Sequence, residues 1–255
     1  MSDTTDAPLS GCAALVTGAS SGIGAATALA LARQGAGVAL VARRAERLEQ
    51  LAATIRGEGG TCAVLPADLS EDARAHGVVE EGVRHLGRLD VVVNGAGYVA
   101  RGAVEEGDPE QWRRMVDLNF TAVLNISRAA LPHLVSAAAD GRRGVADLVS
   151  ISSVAGRIVR KNNSVYSATK HAVCVFSEAL RQELTGRSVR VGLVEPGLTT
   201  TEMTAGNDWT PVAPGMPREA WLRADDIARA VVFMVTQPPH AAVNEIMLRP
   251  TAQEA

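Results

Sequence analysis

Short apolar runs rich in β-branched residues alternate along the chain with longer segments whose apolar residues recur at helical spacing. This alternation is typical of βαβ units around a parallel sheet. The predicted strands are Ala13–Thr17, Gly37–Ala42, Cys62–Pro66, Leu89–Asn94, Ala146–Ser150, Val189–Glu195 and Asn244–Leu248. The predicted helices are Ile23–Gln34, Ala45–Arg56, Glu71–Leu86, Glu110–Ala139, Val165–Thr185 and Asp225–Thr236. We therefore predict one α/β domain over residues 1–255, a doubly wound parallel sheet of about seven strands with helices on both faces.

Residues 202–221 interrupt this alternation between a predicted strand and the next predicted helix. The helix-breaking residues in this stretch are Gly206, Pro211, Pro214, Gly215 and Pro217. Such an insertion often forms a lid or a binding loop, although a surface loop without function has the same composition. We predict a substrate lid here, and loosely packed ends at residues 1–10 and 251–255.

Composition and charge exclude several classes of partner. With 255 residues, 47% of them apolar, the chain can bury the core of one such domain. The net charge of -3 leaves no excess positive charge for a phosphate backbone, so we expect no nucleic-acid partner. The polar, acidic start and the lack of a long apolar stretch predict a cytoplasmic protein without membrane contact. Three separated cysteines suit reduced core thiols, and five scattered histidines predict no metal site.

A glycine-rich turn joins the first predicted strand to an Ala-rich helix, with the sequence Thr17-Gly18-Ala19-Ser20-Ser21-Gly22-Ile23-Gly24. Glycine lets the backbone turn tightly and approach a pyrophosphate, and a helix N-terminus offers free N–H groups and a partial positive charge. The turn therefore predicts an anion cradle. The alternative is an ordinary helix-opening turn.

Tyr166 and Lys170 lie four residues apart on one face of a predicted helix. The ammonium is then positioned to hold the phenol close to its ionised state, which would make Tyr166 a proton donor or acceptor. The chain has only two tyrosines, so a chance match to this spacing is improbable. The alternative is a solvated tyrosine beside an unrelated lysine.

These motifs resemble those of the short-chain dehydrogenase/reductase family, which carries Thr-Gly-x-x-x-Gly-x-Gly near its start and Tyr-x-x-x-Lys further on. Further matches are Asp68-Leu69, Asn94-Gly95-Ala96-Gly97, Asn119, Ser152-Ser153 and Pro196-Gly197. The resemblance covers residues 10–250. It implies a Rossmann-type fold and an oxidoreductase that moves hydride between a nicotinamide dinucleotide and a carbonyl or alcohol group.

The resemblance assigns cofactor contacts to matching positions. It implies that Asp68 and Leu69 meet the adenine, and that Asn94 lines the riboses together with the loop after it. Gly95 stands where relatives often have a second Asn, a loss that is expected to loosen this loop. The full set of implied cofactor-binding residues, apart from the arginines discussed next, is Gly18, Ser20, Ser21, Gly22, Ile23, Gly24, Asp68, Leu69, Asn94, Ala96, Gly97, Tyr166, Lys170, Pro196, Gly197, Thr199 and Thr201.

Arg43 and Arg44 follow the second predicted strand, where an NAD-binding unit would place an acidic residue for the ribose 2'-hydroxyl. A guanidinium attracts a 2'-phosphate and binds it bidentately. We therefore predict NADP(H) as the cofactor. The alternative is that both arginines simply begin a solvated helix. Many NADP-using relatives carry a second basic residue where this chain has Ser21, which favours a weaker preference for NADP(H) than in those enzymes.

The predicted catalytic residues are Asn119, Ser153, Tyr166 and Lys170. Tyr166 would exchange a proton with the substrate oxygen, its pKa lowered by Lys170 and an oxidised nicotinamide. Ser153, thirteen residues before Tyr166, would donate to that oxygen, with Ser152 as its rival. By resemblance, Asn119 kinks its helix and its backbone carbonyl holds a water; a local hydrogen-bonding role is the alternative.

The substrate is less determined. Arg157, Arg160 and Lys161 are expected near the pocket mouth and favour a carboxylate-bearing substrate, although solvent-facing charges fit equally well. Trp209 is expected in the pocket wall. The segment after Ser153 and the ending Arg249-Pro250-Thr251 resemble the clavulanic acid dehydrogenases of antibiotic biosynthesis and NADP-dependent 3-hydroxy acid dehydrogenases.

Two other functions remain possible from the sequence. A 3-hydroxy acid dehydrogenase or a 3-oxoacyl reductase of primary metabolism would use the same machinery. A non-catalytic NADP-sensing module would be expected to lose one of the catalytic residues, and all are present. The resemblance further implies a homodimer or homotetramer formed through the fifth and sixth helices.

Overall fold

A seven-stranded parallel sheet forms the centre of the computed structural model, which describes residues 7–205 and 215–254. Its strands are β1 (Ala13–Thr17), β2 (Gly37–Ala42), β3 (Cys62–Pro66), β4 (Val91–Asn94), β5 (Ala146–Ile151), β6 (Val189–Pro196) and, after two short strands, β9 (Glu245–Leu248). Their order across the sheet is β3-β2-β1-β4-β5-β6-β9. The short strands β7 (Thr199–Thr200) and β8 (Leu222–Arg223) pair with each other. The predicted doubly wound sheet is confirmed.

Eight α-helices are present within the described residues. They are α1 (Gly22–Arg33), α2 (Ala45–Gly57), α3 (Asp72–Leu86), α4 (Pro109–Val116), α5 (Ala122–Ala139), α6 (Ser164–Glu183), α7 (Glu202–Ala205) and α8 (Ala224–Val235). Short 3-10 turns cover Val104–Glu106, Val154–Gly156 and Arg218–Ala220.

The helices cover both faces of the sheet, and the strands are apolar at successive positions for that reason. Val16 of β1 packs into the layer that contains α1, α2 and α8. The preceding residue, Leu15, packs into the opposite layer with α3 and α5. Because successive side chains of a strand point to opposite faces, each strand supplies both cores.

The predicted helix Glu110–Ala139 is divided in the structure by a π-helical turn, Asp117–Thr121, which joins α4 to α5. Apolar periodicity does not distinguish an inserted π turn from regular helix, so the sequence pattern joined the two. The predicted lid begins as α7 and ends in the turn Arg218–Ala220. Its central part, including Gly206, Trp209, Pro211 and Pro214, lies outside the described residues.

The expectation of loosely packed ends fails at one residue of each described terminus, whereas the other described end residues are exposed, namely Ala7, Pro8, Ser10, Thr251, Ala252 and Glu254. Leu9 is fully buried and its backbone N–H donates to the carbonyl of Gln34. Gln253 is also buried. Leu9 lies shortly before β1 and Gln253 lies shortly after β9, and this proximity to the sheet explains why both residues are buried. In the described part of the chain, no helix is long and apolar enough to cross a membrane.

Candidate active site

A cavity of about 380 Å³ lies at the carboxyl ends of the central strands. The strand order reverses between β1 and β4, and such a switch point leaves a crevice at this edge of a parallel sheet. All of the predicted catalytic and cofactor-binding residues except Asn94 and Asn119 line the cavity. Residues far apart in sequence are thus brought to one site by the sheet.

The glycine-rich turn forms one end of the cavity, and two of its glycines are required by close backbone contacts. Gly18 has φ +72°, and a Cβ there would lie 2.7 Å from the carbonyl oxygen of Gly95. A Cβ on Gly24 would collide with the carbonyl oxygen of Gly18. The turn therefore brings bare backbone and the N-terminus of α1 to the cavity, as an anion cradle requires.

The loop after β4 is held by Thr17, whose hydroxyl accepts hydrogen bonds from the backbone N–H groups of Gly95 (3.0 Å) and Ala96 (3.1 Å). A side chain at position 95 would meet the carbonyl oxygen of Thr17, since a Cβ would lie 2.8 Å from it. Gly95 therefore does not loosen the loop, contrary to expectation. The glycine permits close packing, and Thr17 anchors two backbone N–H groups of the loop.

Asn94 lies behind the cavity wall. Its side chain is buried and its amide nitrogen donates to the hydroxyls of Ser127 (3.3 Å) and Ser150 (3.4 Å). The structure therefore places this side chain between β4, β5 and α5 and not in the cavity. Asn94 is not among the cavity-lining residues, so its predicted position beside the riboses stays a prediction.

Arg43 and Arg44 line the far end of the cavity beside the glycine-rich turn. Arg43 lies 3.6 Å from a carboxylate oxygen of Asp68. Arg44 donates to the hydroxyls of Ser20 (3.1 Å) and Ser21 (2.8 Å). The two guanidinium groups are about half exposed and form a cationic end wall.

Ser153, and not Ser152, is next to Tyr166. Ser153 is hydrogen-bonded to the Tyr166 hydroxyl, and its own hydroxyl accepts from the N–H of Ala155 (3.1 Å). The hydroxyl of Ser152 is buried and donates to the carbonyl of Lys170 (3.1 Å). The two serines therefore have different contacts, one facing the tyrosine and one supporting its helix.

Tyr166 and Lys170 project from α6 into the cavity. The ammonium nitrogen of Lys170 lies 5.8 Å from the centroid of the Tyr166 ring and donates to the carbonyl of Ile151 (2.9 Å). Burial raises the pKa of Tyr166, and the hydrogen bond with Ser153 only partly offsets that rise. Without a cofactor, Lys170 therefore does not bring the pKa of Tyr166 below its ordinary value, and the predicted lowering by Lys170 together with an oxidised nicotinamide stays a prediction. The loss of hydration is the largest cause of this rise.

Burial also lowers the pKa of Lys170 from 10.5 to about 8. Below pH 8 both folded and unfolded chains carry the proton, so the full cost of burying the ammonium is present. As pH rises towards 10.5, the unfolded lysine stays protonated while the folded one is neutral, and that cost disappears.

We expect Lys170→Met to remove this pH dependence. Its free energy of unfolding, relative to wild type, should fall by about 2 kcal/mol between about pH 7 and pH 9.5. Urea unfolding at both pH values measures this difference. A relative stability that is flat across the range would contradict a depressed lysine pKa.

Asn119 lies in the π-helical turn and is fully buried. Its side-chain oxygen accepts from the N–H of Tyr98 (2.7 Å), and its nitrogen donates to the carbonyl of Tyr98 (2.9 Å) and the hydroxyl of Thr169 (3.1 Å). It thus ties the loop after β4 to the helix that carries Lys170.

The sequence predicts three basic residues near the pocket mouth, Arg157, Arg160 and Lys161. One of them lines the cavity. Arg160 lines the cavity, whereas Arg157 is hydrogen-bonded to Glu195 and paired with Glu245, both at 2.6 Å. Neither Arg157 nor Lys161 is among the cavity-lining residues. A substrate carboxylate therefore has no contact with Arg157 in this arrangement.

Arg101 and Gln253 also line the cavity. Arg101 lines the same cavity as Arg160, from the loop after β4. Gln253 comes from the C-terminal segment, and its side-chain oxygen accepts from the N–H of Leu198 (3.0 Å). Arg101 follows Asn94-Gly95-Ala96-Gly97, in a segment that the resemblance places in the pocket wall, whereas nothing in the local sequence around Gln253 marks its contact.

The fold and the cavity define an α/β protein of the Rossmann type with a serine, a tyrosine and a lysine at one site. The family model for short chain dehydrogenases matches residues 12–210. The chain belongs to this family and is an oxidoreductase of its type. A protein of Staphylococcus epidermidis described as an uncharacterized oxidoreductase is 35% identical over 237 residues, covering 93% of this chain and 96% of that protein.

Solved structures of the same family are closely similar. A short chain dehydrogenase from Burkholderia cenocepacia in complex with NADP has a TM-score of 0.86 and 30% identity, with 96% of this chain and 99% of that chain covered. A 3-ketoacyl-(acyl-carrier-protein) reductase from Brucella melitensis complexed with NADH has a TM-score of 0.84 and 26% identity, with the same coverage. The two differ in the cofactor that they hold.

Proposed function

We propose that this protein is an NADP(H)-dependent oxidoreductase that reduces a ketone or an aldehyde to an alcohol, reversibly, on a carboxylate-bearing small molecule. The observation that carries the proposal is the meeting of Ser153, Tyr166 and Lys170 in one cavity whose far end is lined by Arg43 and Arg44. A sensing module would need the arginine end alone. The triad at the other end supports chemistry.

The residues that line the cavity suit NADP(H). The side-chain-free turn at Gly18 and Gly24 leaves room for a pyrophosphate against the N-terminus of α1. At the end wall, Arg43 and Arg44 would hold a 2'-phosphate, and Asp68 and Leu69 would border the adenine. The lysine ammonium would bond the nicotinamide ribose hydroxyls. When bound, NADPH would supply the hydride.

The chain's own residues would handle the proton and the developing charge. With its pKa raised, Tyr166 keeps its proton at neutral pH and can donate it to the substrate oxygen during reduction. Ser153 donates to the same oxygen, where negative charge develops. Lys170 provides a nearby positive charge. Asn119 links the helix that carries Lys170 to the loop after β4.

Arg43→Asp should separate the two nicotinamide cofactors. The change puts a carboxylate beside Asp68 and removes a cation from the proposed 2'-phosphate site. We expect the KM for NADPH to rise about 10- to 100-fold, and the KM for NADH to change far less. Steady-state kinetics with both cofactors measures the difference, and Arg56→Asp, in the helix α2 that follows Arg43, is the control because Arg56 is exposed and outside the cavity lining. Equal effects on both cofactors would remove Arg43 from the 2'-phosphate site.

Arg101 and Arg160 support a carboxylate-bearing substrate, because both line the cavity. A clavulanate-type aldehyde of antibiotic biosynthesis is our specific candidate, supported by the resemblance at Arg249-Pro250-Thr251. The runner-up is a 3-hydroxy acid or 3-oxoacyl substrate, favoured by the similarity to the Brucella reductase.

A substrate panel tests the proposed reaction and substrate class. Aldehydes and ketones with a free carboxylate are compared with their methyl esters, following NADPH absorbance. We expect reduction of carbonyl compounds, with kcat/KM higher for the acids than for the esters. Higher kcat/KM for the esters would contradict a carboxylate-bearing substrate. No turnover with any carbonyl compound would contradict the proposed reductase activity.

A further inference from the structure

Glu202 occupies a position where an acid is unexpected in a site for a phosphorylated cofactor. One carboxylate oxygen lies 2.8 Å from Arg44 Nη1, and the other lies 3.7 Å from Arg47 Nη2. The carboxylate is also hydrogen-bonded to Ser21, the residue that precedes α1. The chain thus places its own anion on an arginine of the cavity end wall.

We propose that Glu202 is a specificity-determining residue that competes with the 2'-phosphate of NADPH for Arg44, and so weakens NADPH binding selectively. The inference rests on the proposed function, which assigns the 2'-phosphate to this end wall. The guanidinium of Arg44 contacts Ser20, Ser21 and Glu202 together, so a 2'-phosphate on Arg44 would lie beside the carboxylate of Glu202.

The pair is partly exposed, with 47% of the Arg44 side chain and 49% of the Glu202 side chain accessible. A phosphate can therefore approach Arg44, and the carboxylate is close enough to repel it. The effect on affinity is moderate, because solvent and salt screen exposed charges. NADH carries no 2'-phosphate and experiences no such repulsion.

Glu202 is also the first residue of α7, and the next two residues, Met203 and Thr204, line the cavity. The same ion pair therefore connects the proposed phosphate end of the cavity to the segment that enters the predicted lid. No other described acidic residue is within salt-bridge distance of Arg44.

Calorimetric titration of the protein with NADPH and with NADH, without substrate, tests the proposal. We expect Glu202→Gln to bind NADPH about five- to tenfold more tightly and NADH within about twofold of wild type. The gain should shrink at high salt. Glu219→Gln, which removes the same charge from an exposed position in the same segment, is the control and should change neither constant.

Arg44→Gln, titrated in parallel, distinguishes the two ways of failing. Selective loss of NADPH binding in Arg44→Gln, with no gain in Glu202→Gln, would overturn the inference and leave the cofactor site intact. Equal changes for both cofactors in Arg44→Gln would remove Arg44 from the 2'-phosphate site, and with it the basis of the inference. Weaker NADPH binding by Glu202→Gln would mean that Glu202 holds Arg44 in place, which contradicts competition.

Discussion

Tyr166→Phe is expected to lower kcat for NADPH-dependent carbonyl reduction about 10²- to 10⁴-fold, the range contributed by a positioned proton donor. The ring still fills the same space, so the dissociation constant for NADPH should change little. Pre-steady-state kinetics and calorimetric titration measure the two quantities separately.

The chain supplies a matched control for this change. Tyr98 is its only other tyrosine, and its ring lies against Arg114, 4.0 Å from the guanidinium carbon. It is outside the cavity lining, and its contacts with Asn119 are made by its backbone. Tyr98→Phe should therefore keep wild-type turnover. Undiminished turnover by Tyr166→Phe would remove the tyrosine from proton transfer.

Ser153→Ala is expected to lower kcat/KM about 10²- to 10³-fold, because a donor aimed at the reacting oxygen is lost. Ser152→Ala is its neighbour and removes an identical group. Because the Ser152 hydroxyl supports the carbonyl of Lys170, its loss should cost about 1 kcal/mol of stability and leave kcat/KM within a few-fold of wild type. Kinetics with thermal unfolding of both variants checks this. A larger kinetic loss in Ser152→Ala would reverse the assignment.

The sequence predicts the parts of the fold that depend on local pattern. Strands β1, β2 and β3 begin and end at the predicted residues, since apolar runs bounded by turn residues define them. The spacing of Tyr166 and Lys170 is equally local, because one helix face carries both. Ser153 was preferred to Ser152 on its spacing to Tyr166, and only Ser153 is next to the tyrosine.

Other features depend on contacts between distant segments. The pKa of Tyr166 rises because of the desolvation that the assembled cavity imposes, which a Tyr-x-x-x-Lys spacing does not reveal. Glu202 reaches Arg44 across 158 positions, and Gln253 reaches Leu198 across 55. Asn94 matches a motif, yet its side chain turns towards Ser127 and Ser150. A motif gives the position of a residue, whereas its partners follow from the packing.

The proposed function requires that this chain moves hydride between NADPH and a carbonyl carbon. The decisive experiment incubates the enzyme with NADPH that is deuterated at both hydrogens of the nicotinamide C4 and with a carboxylated aldehyde from the substrate panel, and analyses the product by mass spectrometry. We expect an alcohol that carries one deuterium on the former carbonyl carbon, formed by wild type and almost absent with Tyr166→Phe. NADPH that binds but transfers no deuterium to any carbonyl compound would contradict it.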